Sequence, residues 1–313
     1  MPISAPTAEA LHHAGITYSE DVPIAKRTYW RAGGVVDGLV RVDTLDKLQQ
    51  LLSITKDQNV PYLVLGNGSN LLMSDHGLRG LVIQLSGDFM ASEVTQESAD
   101  LLQVGAGLKL NVLLRRSAKN QWAGLECFAG IPGTIGGAIR MNAGATLGET
   151  KDCLHDVDVV LPNGQLRTLT MDELHMSYRT THLPMGSIIA FARLNLSNED
   201  PAESLKRIQH HMERRKATQP LHLPSCGSTF RNPPNDHAGR LIEAAGLKGF
   251  QLGQAQISTK HANFIVNLGE ATSDDIRAVL EHAKKEVLQQ FGVALHQEVH
   301  FVGDWTHWDT NKT

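Results

Sequence analysis

Residues 124–145 read GLECFAGIPGTIGGAIRMNAGA, and this glycine-rich stretch largely decides the predicted fold. Four glycines and a proline fall between Gly130 and Gly137, although glycine loses the most conformational freedom when a chain folds. Backbone N–H groups can approach a phosphate where no Cβ intervenes, and the hydroxyl of Thr134 adds a donor. A bound diphosphate therefore fits this stretch better than a turn without a ligand.

A second glycine-rich element, GNGSN at Gly66–Asn70, follows a short apolar run of strand character. For this element alone, a tight turn that binds nothing is as good an interpretation as phosphate binding. Neither element matches G-x-G-x-x-G with a helix and a downstream acid, and neither contains the lysine of a P-loop. The sequence thus disfavours an ordinary dinucleotide-binding or P-loop domain.

The composition is that of a folded protein: 313 residues, of which 41% are hydrophobic and 20% charged, with a formal net charge of -4. At roughly 100 to 200 residues per domain, this length predicts two domains or one large unit. No run of charge marks a surface for nucleic acid or anionic lipid, which favours small-molecule partners. Three cysteines without metal spacing, and no signal-peptide pattern or long apolar stretch, predict a cytoplasmic protein.

Helix and strand patterns alternate outward from the glycine-rich elements. Hydrophobic spacing predicts a helix at 44–59, strands at 62–65, 81–85 and 101–104, and a further helix from Leu110. Asp43 and Thr44 are both good N-cap types for the first helix. Pro162-Asn163-Gly164 predicts a hairpin over 157–170, and a capping box and a strand follow it, at Thr170/Glu173 and 188–196. Helices dominate the last third, one from Pro201, one at 239–245 and one at 273–291 that Gly292 is predicted to end. We therefore place a domain boundary near residue 200.

Three polar groups of residues could carry chemistry. The loop 224–233, PSCGSTFRNP, is turn-rich and polar, as loops that serve a pocket often are, and Cys226 in it is interpreted as a small buried filler. Tyr178-Arg179 could hold a carboxylate, with an ordinary surface arginine as the alternative. Finally, one strand face would carry His296, Glu298 and His300, which could ligate iron. A strand face that binds no metal is the favoured interpretation.

Seven blocks of the sequence, taken in order, resemble the UDP-N-acetylenolpyruvoylglucosamine reductase family, flavoenzymes of peptidoglycan synthesis. They are TYWRAGG (28–34), GNGSNLL (66–72), the 124–145 stretch, SYR (177–179), the block from Gln219 to Pro233, AGLKG (245–249) and QAQISTKHANFIVN (254–267). The resemblance runs from about Arg27 to Gly303 and is closest to the type II form, which lacks the extra substrate-closing loop of type I enzymes.

This resemblance implies an α+β chain with a vanillyl-alcohol-oxidase-type FAD-binding fold, in which two α/β subdomains hold the flavin and a C-terminal α+β domain covers the substrate. The expected organisation is an N-terminal extension at 1–26, an FAD-binding domain at 27–198 divided into about 27–88 and 89–198, a substrate domain at 199–305 and a tail at 306–313. It further implies noncovalent FAD, NADPH as reducing cosubstrate and a UDP-sugar substrate. No metal, nucleic acid or membrane insertion is expected, and the oligomeric state is left open.

By the same resemblance, FAD contacts fall in both glycine-rich elements and just after the second, at Gly66, Asn67, Gly68, Ser69, Asn70, Gly130, Pro132, Gly133, Thr134, Gly136, Gly137, Asn142, Ala143 and Gly144. Arg179 is implied to face the enolate that follows hydride transfer, Ser228 to protonate its C2, and Glu298 to assist enol stabilisation. A serine is a weak acid, so Arg231 or Lys260 would have to assist it. Substrate contacts are implied for Tyr178, Gln219, Asn232 and Lys260.

The chain departs from the family pattern at a few positions. His300 stands where an arginine is common, Arg31 and Arg231 where lysine often occurs, and Arg140 where a less polar residue is frequent, while GATLGET (144–150) replaces GAYGGE. These changes bear on pocket charge and remove no implied catalytic residue. Two other hypotheses stay open at this point: a catalytically silent flavin or nucleotide-sugar binder, and a non-haem iron oxygenase using His296, Glu298 and His300.

Overall fold

The computed structural model describes residues 3–309, and the chain divides into two compact units. Unit 1 takes the residues up to Glu20 with Gly38–Asn67 and Gly80–Arg215, and unit 2 takes Asp21–Asp37, Gly68–Arg79 and the residues from Lys216 onward. Each unit is assembled from three separate segments, so a single boundary near residue 200 does not describe them. The functional domain limits drawn from the sequence stay a prediction.

The helices and strands follow one another along the described chain in a mixed order. The helices are α1 Ala5–His13, α2 Leu45–Asp57, α3 Leu110–Asn120, α4 Ile135–Arg140, α5 Met171–Leu174, α6 Pro201–Thr218, α7 Ala238–Ala244, α8 Ser273–Phe291 and α9 Thr306–Asp309. The strands are β1 Tyr18–Pro23, β2 Val35–Val42, β3 Tyr62–Val64, β4 Leu71–Met73, β5 Leu78–Leu85, β6 Ser92–Val94, β7 Leu101–Gly105, β8 Gly144–Ala145, β9 Gly148–Glu149, β10 Leu154–Val160, β11 Leu166–Thr170, β12 Ile188–Asn195, β13 Gln251–Leu252, β14 Ala255–Ile257, β15 Ile265–Asn267 and β16 His300–Val302. Across residues 3–309, none of these helices combines the length and apolarity that a membrane crossing needs.

Local sequence signals correctly predicted several element ends. Thr44 caps α2, its hydroxyl accepting from the Lys47 amide at 3.4 Å. Both hydrogen bonds of the predicted capping box form between Thr170 and Glu173 at the start of α5. Gly292 ends α8 with a left-handed φ of 68°, a conformation that glycine adopts without strain. These predictions are confirmed because each depends on contacts a few residues apart.

A five-stranded antiparallel sheet organises unit 1, with strand order β11-β10-β12-β7-β6. The hairpin predicted around Pro162-Asn163-Gly164 is its β10–β11 pair. Leu113 of α3 and Ile139 of α4 are fully buried in the same apolar cluster as Val104 and Val157 of the sheet. Because α4 begins at Ile135, inside the second glycine-rich element, this core holds the end of that loop in place.

The N-terminal segment, predicted as an extension at 1–26, contains helix α1 and strand β1. Strand β1 is the first strand of a four-stranded sheet with order β1-β2-β5-β3. Leu11 and Ile16 are buried in one apolar cluster with Leu48 and Leu51 of α2. Burying these side chains on the helix removes apolar surface from water, which is the physical reason that the segment folds with the unit.

Unit 2 contains a three-stranded antiparallel sheet, β13-β14-β15, together with α7 and α8. Trp30 is fully buried in its core, its indole N–H donates to the Ile265 carbonyl at 2.8 Å, and the Asn267 amide donates to the Trp30 carbonyl at 2.7 Å. The TYWRAGG block is therefore built into the unit that holds the C-terminal residues, whereas the sequence placed it in the first FAD subdomain.

The C-terminal strand is shorter than predicted. Strand β16 begins at His300 and pairs in parallel with β4, so His296 and Glu298 lie before it and the prediction of one shared strand face is wrong. A bend at Val299 and a single bridge at Gln297 interrupt the extended pattern there. In the predicted tail, α9 packs through Trp308, whose indole donates to Asp274 at 2.8 Å, and the residues after Asp309 lie outside the described range.

Candidate active site

The first glycine-rich loop requires glycine at two positions. Gly68 has a φ of 64°, and a Cβ there would lie 2.3 Å from the Arg27 carbonyl oxygen. A Cβ at Gly66 would lie 2.6 Å from the Thr134 hydroxyl, so the two predicted glycine-rich elements meet at this point within unit 1. Gly66 and Asn67 belong to unit 1, while Gly68, Ser69 and Asn70 belong to unit 2. The close approach leaves room only for backbone, as a diphosphate cradle needs.

The second glycine-rich loop is held by hydrogen bonds to the chain before α3. The amides of Ile135 and Gly136 donate to the Leu108 and Ala106 carbonyls at 2.9 and 2.8 Å, and a Cβ at Gly136 would lie 3.1 Å from Ala106. The Gly137 amide donates to the Thr134 hydroxyl, which caps α4. These three amides are occupied by the protein, so the part of this loop that could donate to a diphosphate lies nearer to Gly133 and Thr134.

Asn142, one of the predicted cofactor contacts, has a side chain whose polar atoms bond to other protein groups. Its side chain is fully buried and donates to the Glu149 carboxylate at 3.0 Å and to the Ser177 carbonyl at 2.9 Å, while its oxygen accepts from the Lys151 amide at 3.0 Å. Its predicted contact with FAD stays a prediction. Ala143 and Gly144 are partly exposed, and their predicted contact with FAD stays a prediction.

Arg179 lies in a tight turn of unit 1 close to the loop after α4. Ser177 and Thr180 exchange two backbone hydrogen bonds, of 2.9 and 3.0 Å, around Tyr178 and Arg179. Within this turn Arg179 has a φ of 55°, and its guanidinium donates to the Gly144 carbonyl at 2.9 Å. The guanidinium also lies 4.9 Å from the centre of the Tyr178 ring, a cation–π distance. Its charge is thus held at the edge of the predicted flavin region, beside Gly144.

Ser228 and Glu298 lie in adjoining segments of unit 2. The Glu298 amide donates to the Thr229 carbonyl at 2.8 Å, and the Asn70 side chain donates to the Glu298 carbonyl at 3.3 Å. On its other side the Thr229 amide donates to the Asn263 carbonyl at 2.8 Å. The Ser228 side chain remains exposed. The structure thus brings two of the three implied catalytic residues into one hydrogen-bonded framework, and Arg179 belongs to the other unit.

The implied substrate residues have different surroundings. Tyr178 is 46% exposed, and the buried side-chain oxygen of Gln219 has no hydrogen-bond partner among the described residues. Lys260 donates to the Lys216 carbonyl at 2.7 Å, and Asn232 accepts from the Ala238 amide at 3.1 Å at the start of α7. The buried oxygen of Gln219 is therefore left for a ligand among the described residues, while Asn232 is partly engaged in capping a helix.

Cys226 is the buried filler that the sequence analysis favoured. Its thiol lies 3.6 Å from the Leu71 carbonyl and 3.8 Å from the Gly68 carbonyl. Burial raises the pKa of this thiol to about 12, so it remains protonated near neutral pH. It packs the Ser228 loop against the strand that follows the first glycine-rich element, and it is not a nucleophile.

Sequence reasoning missed Arg215, on the face of α6 that meets the second glycine-rich loop. A Cβ at Gly130 would lie 2.7 Å from the Arg215 Cδ and 2.8 Å from its Nε. This Nε is buried and has no hydrogen-bond partner among the described residues, and burial lowers the pKa of the guanidinium. A cation with an unused donor against a glycine loop is suited to an anionic ligand. The run of three basic residues at 214–216 was the available signal.

Asn263 was also missed as an organiser of the Ser228 loop. Its side-chain amide donates to the Phe230 carbonyl at 2.9 Å, and its side-chain oxygen accepts from the Phe230 amide at 3.0 Å. Its own backbone amide donates to Nδ1 of His261 at 3.2 Å, so this ring nitrogen must be unprotonated. The KHAN tetrapeptide of the quoted block contains both residues, although nothing local in it indicates these distant contacts.

We expect the free energy of unfolding to fall at acidic pH because His261 becomes protonated. Burial, with a smaller contribution from Lys248, lowers the pKa of this histidine in the folded protein. A depressed folded pKa means that the unfolded chain binds the proton better, so stability is complete above the unfolded pKa of about 6.5 and declines as pH falls below it. Urea midpoints at pH 5 and pH 8 measure this loss. His261→Gln should show a smaller loss than the unchanged protein, and an equal loss in both would contradict the assignment.

The iron hypothesis gains no support from the described residues. His296, Glu298 and His300 do not form a strand face, and within residues 3–309 no group of three or more His, Cys, Asp or Glu side chains is placed to hold a metal ion. The glycine loops instead match what a nucleotide cofactor needs. The fold and these loops together define an FAD-binding oxidoreductase, as comparison with known proteins shows.

Residues 36–170 match the FAD binding domain family, and residues 219–302 match the UDP-N-acetylenolpyruvoylglucosamine reductase C-terminal domain family. The chain belongs to the UDP-N-acetylenolpyruvoylglucosamine reductase family. It is 42% identical to the reductase of that name from Anaeromyxobacter dehalogenans (strain 2CP-1 / ATCC BAA-258), covering 92% of this chain and 87% of the relative. It is likewise 42% identical to that of Synechococcus sp. (strain RCC307), covering 93% and 95%.

Solved structures agree with this assignment. The crystal structure of UDP-N-acetylenolpyruvylglucosamine reductase from Thermus caldophilus matches with a TM-score of 0.78 at 35% identity, over 91% of this chain and 98% of that one. Berberine bridge enzyme matches with a TM-score of 0.50 at 12% identity, over 64% of this chain and 45% of that one, and this likeness concerns the fold alone. The predicted vanillyl-alcohol-oxidase-type fold is thereby confirmed.

Proposed function

We propose that this protein uses NADPH to reduce the enolpyruvyl group of UDP-N-acetylglucosamine enolpyruvate, forming UDP-N-acetylmuramate for peptidoglycan synthesis. The observation that carries the proposal is the family membership at about 40% identity over nine tenths of the chain. The reductase is an FAD-dependent oxidoreductase with NADPH as its cosubstrate. A cytoplasmic location goes with this function, and the three free cysteines are typical of a reducing compartment.

The residues present fit FAD. Glycines at 66, 68 and 136 stand where a Cβ would lie 3.1 Å or less from other protein atoms, so backbone can line the cofactor closely. We assign the diphosphate to the two loops that meet at Gly66 and Thr134, with Arg215 as a cation beside Gly130. When bound, FAD accepts a hydride from NADPH and delivers one to the vinyl carbon of the substrate. The protein's own side chains then have to stabilise the negative charge on the substrate and supply the proton to C2.

Arg179 is assigned to the charge that develops on the substrate. Addition of a hydride at C3 leaves negative charge at C2 and over the adjacent carboxylate, and a fixed guanidinium stabilises such charge best when its orientation is set in advance. The contacts with Gly144 and the Tyr178 ring support this role, because they orient the fork before substrate arrives. Tyr178, Gln219, Lys260 and Asn232 are assigned to the substrate, with Asn232 the least available of the four.

Ser228 is assigned to the protonation of C2, with Glu298 assisting the enol. The exposed hydroxyl of Ser228 and the backbone bond between Glu298 and Thr229 support their joint action. The buried Nε of Arg231 has no hydrogen-bond partner among residues 3–309, so this cation is the better candidate to help the serine lose its proton. Lys260, which donates to Lys216, is the alternative cation.

Two half reactions test the proposed function on the purified protein. We expect a yellow protein whose flavin absorbance is bleached by NADPH without oxygen and restored by the UDP-sugar enolpyruvate. A coloured protein that bleaches and never reoxidises with this substrate would favour the silent binder. Denaturation should release all of the flavin into the supernatant, because FAD is noncovalent here, and flavin that stays with the precipitate would contradict that point.

A further inference from the structure

The Asn142 side chain in unit 1 bonds to two backbone groups and one carboxylate. Its amide nitrogen donates to the Ser177 carbonyl and to the Glu149 carboxylate, and its oxygen accepts from the Lys151 amide. The residue is fully buried, so water cannot replace any of these partners. All three interactions together determine which way the amide faces, because only the NH₂ end can donate to two oxygen acceptors.

The Ser177 carbonyl begins the turn that carries Arg179. This oxygen accepts twice, from the Asn142 side chain at 2.9 Å and from the Thr180 amide at 3.0 Å. Arg179 occupies a left-handed backbone conformation, which an L-residue retains only when its surroundings hold it there. The two bonds to Ser177 are part of what holds this turn in shape.

Glu149 fixes the position of Asn142 from the other side. The Glu149 amide donates to the Asp152 carboxylate at 2.7 Å in a capping box, and Lys151 lies 3.2 Å from the Glu149 carboxylate. The Glu149 carboxylate that accepts from Asn142 is therefore fixed in position by its own neighbours. The chain of contacts runs from Asp152 through Glu149 and Asn142 to Ser177, the residue two positions before Arg179.

We propose that Asn142 is a positioning residue for Arg179, acting through its hydrogen bond to the Ser177 carbonyl. The inference rests on the proposed function, in which Arg179 faces the negative charge that follows hydride transfer. Without the Asn142 donor, the turn loses one of its constraints and the guanidinium loses its preset orientation. A misplacement of about 1 Å, caused by a change far from the chemistry, can cost turnover on the order of 10²-fold. Asn142 touches neither substrate nor cofactor in this role.

Two variants separate a role of Asn142 in positioning Arg179 from a role in folding. They are Asn142→Asp alone and Asn142→Asp combined with Glu149→Gln. The single change removes both donors and sets a carboxylate against Glu149, so it should lower the melting temperature and the affinity for FAD. The pair exchanges donor and acceptor between the two positions, which restores their mutual bond, and the acceptor for the Lys151 amide is present in both variants. It does not restore a donor to Ser177. We therefore expect the pair to recover the melting temperature and FAD affinity.

Flavin reoxidation by the UDP-sugar enolpyruvate should remain about tenfold slow in the paired variant, with NADPH reduction of the flavin near normal. Hydrogen exchange should be faster at the Thr180 amide, which donates to Ser177. Asn120→Asp is the matched control: this exposed asparagine ends α3, and its change should leave reoxidation and Thr180 exchange unchanged.

Recovery of normal reoxidation in the paired variant would overturn the inference, because Asn142 would then matter for folding alone. Unchanged Thr180 exchange in that variant would overturn it as well. If instead the unchanged protein is never reoxidised by this substrate, the proposed function fails, and the two failures are told apart by that first measurement. If Asn142→Asp alone is too unstable to purify, the test is unaffected, because the paired variant provides the deciding measurements.

Discussion

Replacing Ser228 by alanine should leave NADPH reduction of the flavin nearly intact and slow its reoxidation by the UDP-sugar by about 10²- to 10⁴-fold, the usual contribution of a general acid. The exposed hydroxyl lies in a loop that Asn263 and Glu298 hold on both sides through Thr229. Removing one hydroxyl should therefore not disturb the backbone of the loop. Rapid mixing of prereduced enzyme with substrate measures the second half reaction by itself.

Two further variants sharpen this test. Ser228→Cys keeps a proton donor and should recover part of the lost rate, whereas Ser225→Ala removes a hydroxyl from the same loop and should change neither half reaction. Equal damage to both half reactions in Ser228→Ala would show that the residue serves folding or binding. Normal reoxidation would remove Ser228 from the mechanism altogether.

Arg179→Lys should lower turnover by about 10²- to 10³-fold even though the charge is retained. The guanidinium donates to the Gly144 carbonyl at 2.9 Å and lies 4.9 Å from the centre of the Tyr178 ring. The lysine ammonium is a point charge on a flexible stem and lacks the planar fork that makes both contacts. The loss should fall on flavin reoxidation, because negative charge develops only after hydride transfer to the substrate. Single-turnover absorbance of the prereduced variant measures it.

The control for Arg179 is Arg167→Lys, an equivalent change at an exposed β11 arginine that pairs with Glu173 in the same unit. It should leave both half reactions unaltered. Glu298→Gln preserves size and should depress reoxidation while FAD binding stays normal. Reoxidation at a near-normal rate in both Arg179→Lys and Glu298→Gln would refute the roles given to these two residues.

Sequence reasoning succeeded where the responsible contacts are short in range. The Thr44 cap, the hairpin at Pro162-Asn163-Gly164 and the Gly292 stop each depend on residues within one turn or one hairpin. The strand prediction at His296 to Glu298 failed because alternation alone carried it. In the structure that segment is interrupted, and its amides and carbonyls pair with the Thr229 and Asn70 regions far away in the chain.

The sequence by itself determined the family and the FAD chemistry and predicted Arg179, Ser228 and Glu298 as catalytic candidates, because ordered motifs record residue types directly. Only the tertiary structure decided that Asn142 serves the Arg179 turn, that Arg215 meets Gly130, and that the 28–34 block packs with the C-terminal residues. Burial and hydrogen-bond partners at such separations depend on how the whole chain packs, and no local pattern of residues encodes them.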